Sequence, residues 1–303
     1  MKGRGSLTGL TNNKWSALQS DMVKENIGLM ALQETHLSDE HIEILKRLHG
    51  NSLEIFNSND PENPTGKGGV AFVLNRHKTN IKDVKTYEVI KGRALLLQYT
   101  WHNNKILTVL AIYAPNDVTE NKEFWDELLR KWRELRLPRL DILLGDFNMV
   151  EDAIDRLPCH TRDTRAAEAL QAFRHEFDMI DGWRDINGDS KAYSFAQLTE
   201  DASHSRIDRI YATAKIVQNS TKWGIVNSTV PTDHKRVQAA IFDPEEADIG
   251  TGRYEIVTPQ VCGNPRLPSY SLMGHNSGAF EFENISISWA LKLASYTTLY
   301  DVE

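Results

Sequence analysis

The chain has 303 residues, of which 40% are hydrophobic and 25% charged, an ordinary composition for a globular protein. No apolar run approaches the length of a membrane span, and the first ten residues lack the apolar core of a signal peptide, so we expect no membrane attachment. Two cysteines are too few for a disulfide framework. The cysteine usage favours an intracellular, reducing compartment, either the nucleus or the cytoplasm.

The net charge of −7 argues mildly against a protein that coats nucleic acid, but the charge is unevenly distributed. Residues 244–303 carry eight acidic and three basic side chains, so most of the excess lies there. A basic cluster between Arg130 and Arg139 is best explained as a solvated helix face. A second cluster follows a polar strand end and is the better candidate for phosphate contacts: Arg156, Arg162 and Arg165.

The first 50 residues predict the order helix, strand, helix. Apolar residues from Trp15 to Val23 recur at helical spacing, and Leu29–Gln33 form a compact apolar strand that Glu34 follows directly. Ser38 caps a second helix, and Gly50 ends it.

From residue 66 the hydrophobic period changes, and three strand-like runs predict an antiparallel meander: GKGGVAFVLN, RALLLQYTW and KILTVLAIYAP. Helical period returns over Glu120–Arg136 and again over Arg165–Phe177. Shorter strands are predicted around residues 193–195, 206–211, 223–226 and 236–242. Mixed helices and strands over about 240 residues predict a single domain in which sheets pack face to face with helices outside.

The stretch Leu140–Asn148 is the strongest local signal for a site. An apolar strand ends at Leu144, and the chain then turns at Gly145 to present Asp146 and Asn148. In open α/β sheets, ligands bind at this carboxyl edge. A Gly-Asp pair also forms turns for backbone reasons alone, so this stretch does not decide the matter.

Five strand ends carry polar residues of related kinds: Glu34; Tyr113 with Asn116; Asp146 with Asn148; Asp208; and Asp233 with His234. Each has an ordinary explanation, such as a helix cap at Glu34 or an ion pair between Asp208 and a neighbouring arginine. Together they supply carboxylates for a hard cation such as Mg²⁺, a group that activates water, and a histidine that an aspartate can orient. The combination predicts hydrolysis of a phosphate ester.

The ordered series ALQETH, YAPN, LLGDFN, SRID and TDH resembles the endonuclease/exonuclease/phosphatase superfamily. Within it, the motifs are most similar to the apurinic-type, exonuclease III-like endonuclease domains of non-LTR retrotransposons. The resemblance covers residues 1–243 and implies a four-layer α/β sandwich of the deoxyribonuclease I type. It also implies a phosphodiesterase that uses Mg²⁺, or Mn²⁺ as a substitute, and acts on duplex DNA, and we expect a monomer.

For the metal and the nucleophile, the resemblance implies four residue roles. Glu34 ligates Mg²⁺, and Asp233 lies beside the metal site. Asp146 orients or deprotonates the attacking water, while Asn148 holds the phosphate and that water in line.

For the phosphate, the resemblance implies that Tyr113 donates a hydrogen bond as negative charge builds. His234, which Asp208 orients, binds or protonates a phosphate oxygen. Three further residues are candidates for contacts with the DNA backbone: Asn116, Ser205 and Arg206.

Two departures from the family pattern affect these expectations. The family opens with a strand that ends in an asparagine near the metal, whereas Asn12 and Asn13 fall too late for that role, so the first strand is expected to be missing. Residues 244–303 lose periodicity and predict an irregular, disordered tail. Both favour a truncated, impaired copy of a mobile element's coding region. The alternatives are a phosphatase of the same superfamily and a catalytically dead remnant or binding module.

Overall fold

A computed structural model describes residues 14–101, 104–158, 164–196, 203–230 and 232–245, and the backbone of 285–292. The helices are α1 (Lys14–Lys24), α2 (Asp39–His49), α3 (Val118–Glu134), α4 (Arg165–Glu176), α5 (Gly182–Asn187) and α6 (Ala214–Gln218). The long strands are β1 (Ile27–Gln33), β2 (Leu53–Ser58), β3 (Val70–Asn75), β4 (Lys85–Ile90), β5 (Ala94–Thr100), β6 (Ile106–Tyr113), β7 (Ile142–Asp146), β12 (Asp208–Thr213), β13 (Ser220–Val226), β14 (Arg236–Ile241) and β15 (Ile285–Lys292). The short strands are β8 (Arg156–Leu157), β9 (Met179–Asp181), β10 (Phe195–Ala196) and β11 (His204–Ser205). None of the helices in these ranges is both long and apolar enough to cross a membrane.

Two six-stranded sheets form the body of the fold. The first sheet has the order β13-β14-β15-β1-β3-β2, and the second has the order β4-β5-β6-β7-β12-β9. A three-stranded sheet of β10, β11 and β8 is separate from both.

Three apolar clusters fill the spaces between four layers. One cluster lies between the sheets and joins side chains such as Leu29 and Phe72 of the first sheet to Leu144 of the second. A second lies between the second sheet and the helices α3 and α4, and a third between the first sheet and α1 and α2. Every residue of β1, β3 and β7 is buried, which explains why these strands are apolar runs without alternation. The layers confirm the predicted four-layer α/β sandwich.

The meander predicted from residue 66 is only partly correct. Strands β5 and β6 pair antiparallel as expected, and β4, which the sequence analysis did not identify, joins them. Strand β3, however, pairs with β1 and β2 in the other sheet. A hydrophobic period indicates that a segment is a strand, but it does not indicate which sheet the strand joins.

The segment that was expected to be an irregular tail contributes a strand to the middle of the first sheet. Strand β15 pairs parallel with β1, with Met30 in register with Ser288, and antiparallel with β14, with Val237 in register with Trp289. The expectation of irregular structure is therefore wrong for these eight residues. The rest of the predicted tail lies outside the described residues, and a domain boundary at residue 243 and a missing first strand stay predictions.

Candidate active site

Strand register brings three of the predicted site residues into one row. The parallel ladder of β6 and β7 pairs Tyr113 with Asp146, and the antiparallel ladder of β7 and β12 pairs Asp146 with Asp208. Each of the three residues begins or ends its strand, so all three lie at the same edge of the second sheet. Backbone pairing of β6, β7 and β12 thus brings Tyr113, Asp146 and Asp208 together at the edge that the sequence analysis selected.

Gly145 is required for this close packing of β6 and β7. Its backbone φ is +151°, a conformation that residues with a Cβ atom rarely adopt. A Cβ at this position would lie 2.1 Å from the carbonyl oxygen of Ile112 on β6. The glycine of the GDFN motif therefore allows Asp146 to lie beside Tyr113.

Asn148 ties the loop after β7 to the end of β6. Its backbone N–H donates to Oδ1 of Asp146 at 2.9 Å, and its Nδ2 donates to the carbonyl oxygen of Ala114 at 2.7 Å. Asn148 has a φ of +51°, and Glu34 has a φ of +48°. Left-handed backbone is uncommon outside glycine and is concentrated at functional sites, so both placements agree with a site at this edge.

Asn121, on the buried face of α3, supports the same two loops and was missed by the sequence analysis. Its Nδ2 donates to the carbonyl oxygens of Pro115 at 2.8 Å and Phe147 at 2.9 Å. Its Oδ1 accepts a hydrogen bond from Nε1 of Trp125 at 2.9 Å. A polar residue on the apolar face of a predicted amphipathic helix was the signal available in the sequence.

His234 and Asp208 join the two sheets at this edge. The Nδ1 of His234 lies 2.7 Å from Oδ2 of Asp208, and both side chains are almost fully buried. The ring of Phe195 packs against the imidazole with ring centres 4.9 Å apart. An aspartate at Nδ1 fixes the orientation of the imidazole ring.

Glu34 and Tyr113 form a second connection between the sheets at this edge. The phenol of Tyr113 donates a hydrogen bond to Oε1 of Glu34. Burial raises the pKa of the Tyr113 phenol above its usual value, and the negative charge of Glu34 raises it further. The phenol therefore stays protonated and able to donate.

The residues at this edge fit a divalent cation. One ligand atom from each of Asp146, Asp208 and His234 can be chosen so that all three lie within 4.8 Å of one another. Among the described residues, Oδ1 of Asp208 and Oδ1 of Asp233 are buried without a hydrogen-bond partner. A buried carboxylate oxygen without a partner is costly, and a hard cation takes such oxygens as ligands. This set differs from the predicted pair of Glu34 and Asp233.

The amine of Lys14 lies close enough to Asp233 for the two charges to interact. Burial lowers the pKa of Lys14 from 10.5 to about 8, and the charge of Asp233 partly opposes this shift. Lys14 is the first described residue of α1 and was not among the predicted site residues.

A cleft of about 300 Å³ lies beside this edge of the second sheet. Asn116 and Ser205, two of the predicted backbone contacts, line it together with Asn148 and Arg156. The Nε of Arg156 donates to Oγ of Ser205 at 3.3 Å. Of the second basic cluster, Arg156 thus lines the cleft, and Arg162 lies outside the described residues.

The third predicted contact with the DNA backbone, Arg206, is buried in the structure, which does not agree with that prediction. Its side chain is 1% exposed and is held by two hydrogen bonds to Asp155, of 2.7 and 2.8 Å, and one of 2.7 Å to Asp181. Ser205 and Ile207 line the cleft, so Arg206 between them faces away from it. Burial would raise the pKa of Asp155, but the arginines around it hold that pKa below its usual value. Arg206 supports the fold rather than the substrate.

The part of the first basic cluster that lies on α3 is a solvated helix face, as predicted, whereas Arg136 and Arg139 follow the end of the helix. Arg130 pairs with Glu134 at 2.7 Å, and Lys131 pairs with Glu127 at 3.0 Å, one helical turn away in each case. Both pairs are exposed, so they contribute little to stability.

Comparisons with known proteins identify a family and several structural relatives. The model of the endonuclease/exonuclease/phosphatase family matches residues 6–234. A transposon TX1 uncharacterized 149 kDa protein of Xenopus laevis is 29% identical over 133 residues, which are 44% of this chain. The match covers 10% of that relative's length.

Three solved structures share the fold at low sequence identity. The AP endonuclease of Leishmania major matches with a TM-score of 0.63 and 16% identity, over 77% of this chain and 83% of its own. A 3′ phosphatase from Neisseria bound to a product DNA hairpin matches at 0.59 and 17%, over 77% and 95%. The endonuclease domain of TRAS1, a telomere-specific non-LTR retrotransposon, matches at 0.54 and 15%, over 76% and 91%.

Proposed function

The chain belongs to the endonuclease/exonuclease/phosphatase family, and we propose that it is a metal-dependent phosphodiesterase that nicks duplex DNA. One observation carries the proposal: Tyr113, Asp146 and Asp208 stand in one row, and His234 is hydrogen-bonded to Asp208. A protonated phenol, a buried carboxylate and an oriented imidazole are suited to a reaction in which charge develops on phosphate oxygens.

In the proposed reaction, Asp146 orients the attacking water and takes its proton. Asn148 lines the cleft and keeps the scissile phosphate in line with that water, because its own position is fixed by hydrogen bonds to Asp146 and Ala114. Holding two reactants in line removes much of the entropic cost of bringing them together.

His234 and Tyr113 act on the phosphate oxygens. Asp208 holds the imidazole through Nδ1, so Nε2 is the atom that binds or protonates an oxygen of the phosphate. Tyr113 donates a hydrogen bond as charge builds, and its raised pKa keeps the proton on the phenol. Donors fixed before the reaction stabilise the transition state without reorganisation.

We propose Mg²⁺ as the cofactor, with Mn²⁺ as a substitute. Glu34 and Asp233 are the ligands expected from the family motifs, and the carboxylates of Asp146 and Asp208 would complete the set, because His234 uses Nδ1 for Asp208 and Nε2 for the phosphate. When bound, the ion supplies Lewis-acid stabilisation of the phosphate oxygens. A set dominated by carboxylates suits a hard cation.

Duplex DNA is the proposed partner of a monomer that works in the nucleus or cytoplasm. Similarity to AP endonucleases and to the TRAS1 endonuclease domain supports a DNA substrate, and the transposon relative supports a role in a non-LTR retrotransposon protein. Arg156 lines the cleft, and its proposed role is to contact a backbone phosphate next to the cleaved one.

The test is nicking of supercoiled plasmid by the purified chain in Mg²⁺, with EDTA as the metal control. We expect nicking that EDTA abolishes and that Asp146→Asn reduces by at least about a hundredfold, the usual scale for loss of an acid–base group. Asp126→Asn is the matched control, because it removes an exposed carboxylate of α3 that does not line the cleft.

Three results would overturn the proposal in different ways. Equal nicking by Asp146→Asn and the parent chain would exclude the assigned mechanism. Release of inorganic phosphate from a duplex with a 3′-phosphate, without plasmid nicking, would identify a phosphatase. Inactivity on both substrates, in a chain that unfolds cooperatively, would identify a catalytically dead member of the family.

A further inference from the structure

Arg93, in the turn between β4 and β5, contacts the catalytic tyrosine in three ways. Its guanidinium carbon lies 4.7 Å from the centre of the Tyr113 ring, and its Nη1 donates to the carbonyl oxygen of Tyr113 at 3.2 Å. In return, the backbone N–H of Tyr113 donates to the carbonyl oxygen of Arg93 at 2.8 Å. Both the ring and the backbone of Tyr113 are therefore held by one residue.

The turn that carries Arg93 is itself anchored to the opposite sheet. The N–H of Gly92 donates to Oγ of Ser58 at 3.0 Å, and its carbonyl oxygen accepts from Gly69 at 3.0 Å. Gly92 has a φ of +66°, and a Cβ there would lie 2.8 Å from the backbone nitrogen of Asp60. The position of Arg93 is thus set by backbone contacts with both sheets.

Charge and exposure separate Arg93 from the buried arginines. Arg206 is fully buried and neutralised by two aspartates, whereas Arg93 is half-buried and has no carboxylate within 4.0 Å among the described residues. Its planar cation is therefore directed at an aromatic face, an arrangement that arginine forms better than lysine does. Removal of Arg93 would leave no buried charge without its partner.

We propose that Arg93 is a positioning residue that fixes the ring of Tyr113, so that the hydroxyl, which donates to Glu34 in this structure, is in position to donate to the phosphate instead. With Arg93 stacked on the ring and Glu34 bonded to the hydroxyl, the phenol is constrained at its face and at its end. This inference rests on the proposed role of Tyr113 in phosphodiester hydrolysis. Arg93 acts through the tyrosine and makes no bond to the reacting atoms.

A double-mutant cycle on the nicking reaction tests the inference with Arg93→Ala, Tyr113→Phe and the pair together. Loss of one donor to the phosphate lowers kcat by about a hundredfold, so this is the expectation for Tyr113→Phe. Arg93→Ala is expected to lower kcat about tenfold with little change in KM, as for loss of a contact made in the transition state. The double variant is expected to match Tyr113→Phe, because the arginine then has no hydroxyl to position.

Two variants separate positioning from a general effect of charge. Arg93→Lys keeps the charge but loses the planar face, and it should not restore kcat. Lys91→Ala removes an exposed cation from the same turn, and it should leave kcat unchanged. If the loss of kcat in the double variant equalled the product of the two single losses, or if Arg93→Ala raised only KM, Arg93 would contact DNA directly. Either result would overturn the inference.

A spectroscopic measurement keeps the inference testable apart from activity. In the chain labelled with 3-fluorotyrosine, the ¹⁹F resonance of Tyr113 is the one missing from Tyr113→Phe. We expect Arg93→Ala to shift or broaden that resonance and Lys91→Ala to leave it in place. An unmoved resonance in Arg93→Ala would overturn the positioning role, whereas full activity of Tyr113→Phe would instead overturn the proposed function of the tyrosine.

Discussion

The two sheets contribute to the site in different ways. In the second sheet, β6, β7 and β12 are direct neighbours, so backbone ladders fix Tyr113, Asp146 and Asp208 relative to one another. In the first sheet, β1 leads to Glu34 and β14 follows His234, but these strands are joined through β15. One half of the site is thus continuous, whereas the other depends on a strand from the far end of the chain.

Deletion of residues 284–303 should cause the largest loss of stability, because it removes β15 from the first sheet. It would divide the first sheet into β13-β14 and β1-β3-β2 and leave two strand edges without partners. We expect a loss of several kcal/mol from a typical total of about 5–15 kcal/mol, measured by urea unfolding with circular dichroism. The control deletes residues 293–303 only, and an unfolding midpoint shared by both deletions would show that β15 does not join the sheet.

Arg206→Met should damage the second sheet almost as much. It would leave the carboxylates of Asp155 and Asp181 buried without their main partner, which typically costs about 3–5 kcal/mol. The control is Arg130→Met, which breaks an exposed pair on α3 and should change stability by less than about 1 kcal/mol. Similar urea midpoints for the two variants would contradict the structural role assigned to Arg206.

Gly145→Ala should have a smaller effect that is confined to the contact of β6 with β7. The backbone conformation alone is expected to cost about 1–3 kcal/mol, and the approach of Cβ to Ile112 adds to it. Gly188→Ala is the matched control, because Gly188 also has a positive φ but has no atom within 4 Å of the point that a Cβ would occupy. Thermal unfolding should show a larger decrease in melting temperature for Gly145→Ala than for Gly188→Ala. Equal decreases would show that β6 and β7 can move apart at position 145 without loss of stability.

The smallest effect concerns the ionisation of Tyr113. Burial and the charge of Glu34 raise its pKa, so the phenol should stay protonated as the pH rises through about 10, the ordinary value for tyrosine. Subtracting the absorbance titration at 295 nm of Tyr113→Phe from that of the parent chain isolates this group. An increase in this difference absorbance near pH 10 would contradict the buried, hydrogen-bonded position of the Tyr113 phenol.

The sequence selected residues that the structure brings together, although it did not predict how the sheets are assembled. Motif order selected Asp146, Asp208 and His234, because each is a polar residue at or near the end of an apolar strand. Arg206 was misplaced, because an arginine in a motif can serve the substrate or the fold, and only its two buried aspartate partners decide between them.

Residues that support the site by contacting backbone atoms were difficult to recognise from the sequence. Asn121 bonds to two carbonyl oxygens on separate loops, and Arg93 meets Tyr113 through a ring face and a carbonyl oxygen. Neither lies in a motif with the residue that it supports. Their roles follow from long-range contacts that a local pattern does not contain.

The sequence by itself determined the family, the main helices, most of the strands and the edge at which polar residues gather, since these depend on local periodicity and on motif order. The tertiary structure alone decided which sheet β3 joins, that β15 lies between β1 and β14, and that Asp146, Asp208 and His234 approach one another. Strand pairing and side-chain contact join residues far apart in the chain, and the free energy that selects them comes from the packed whole rather than from any one segment.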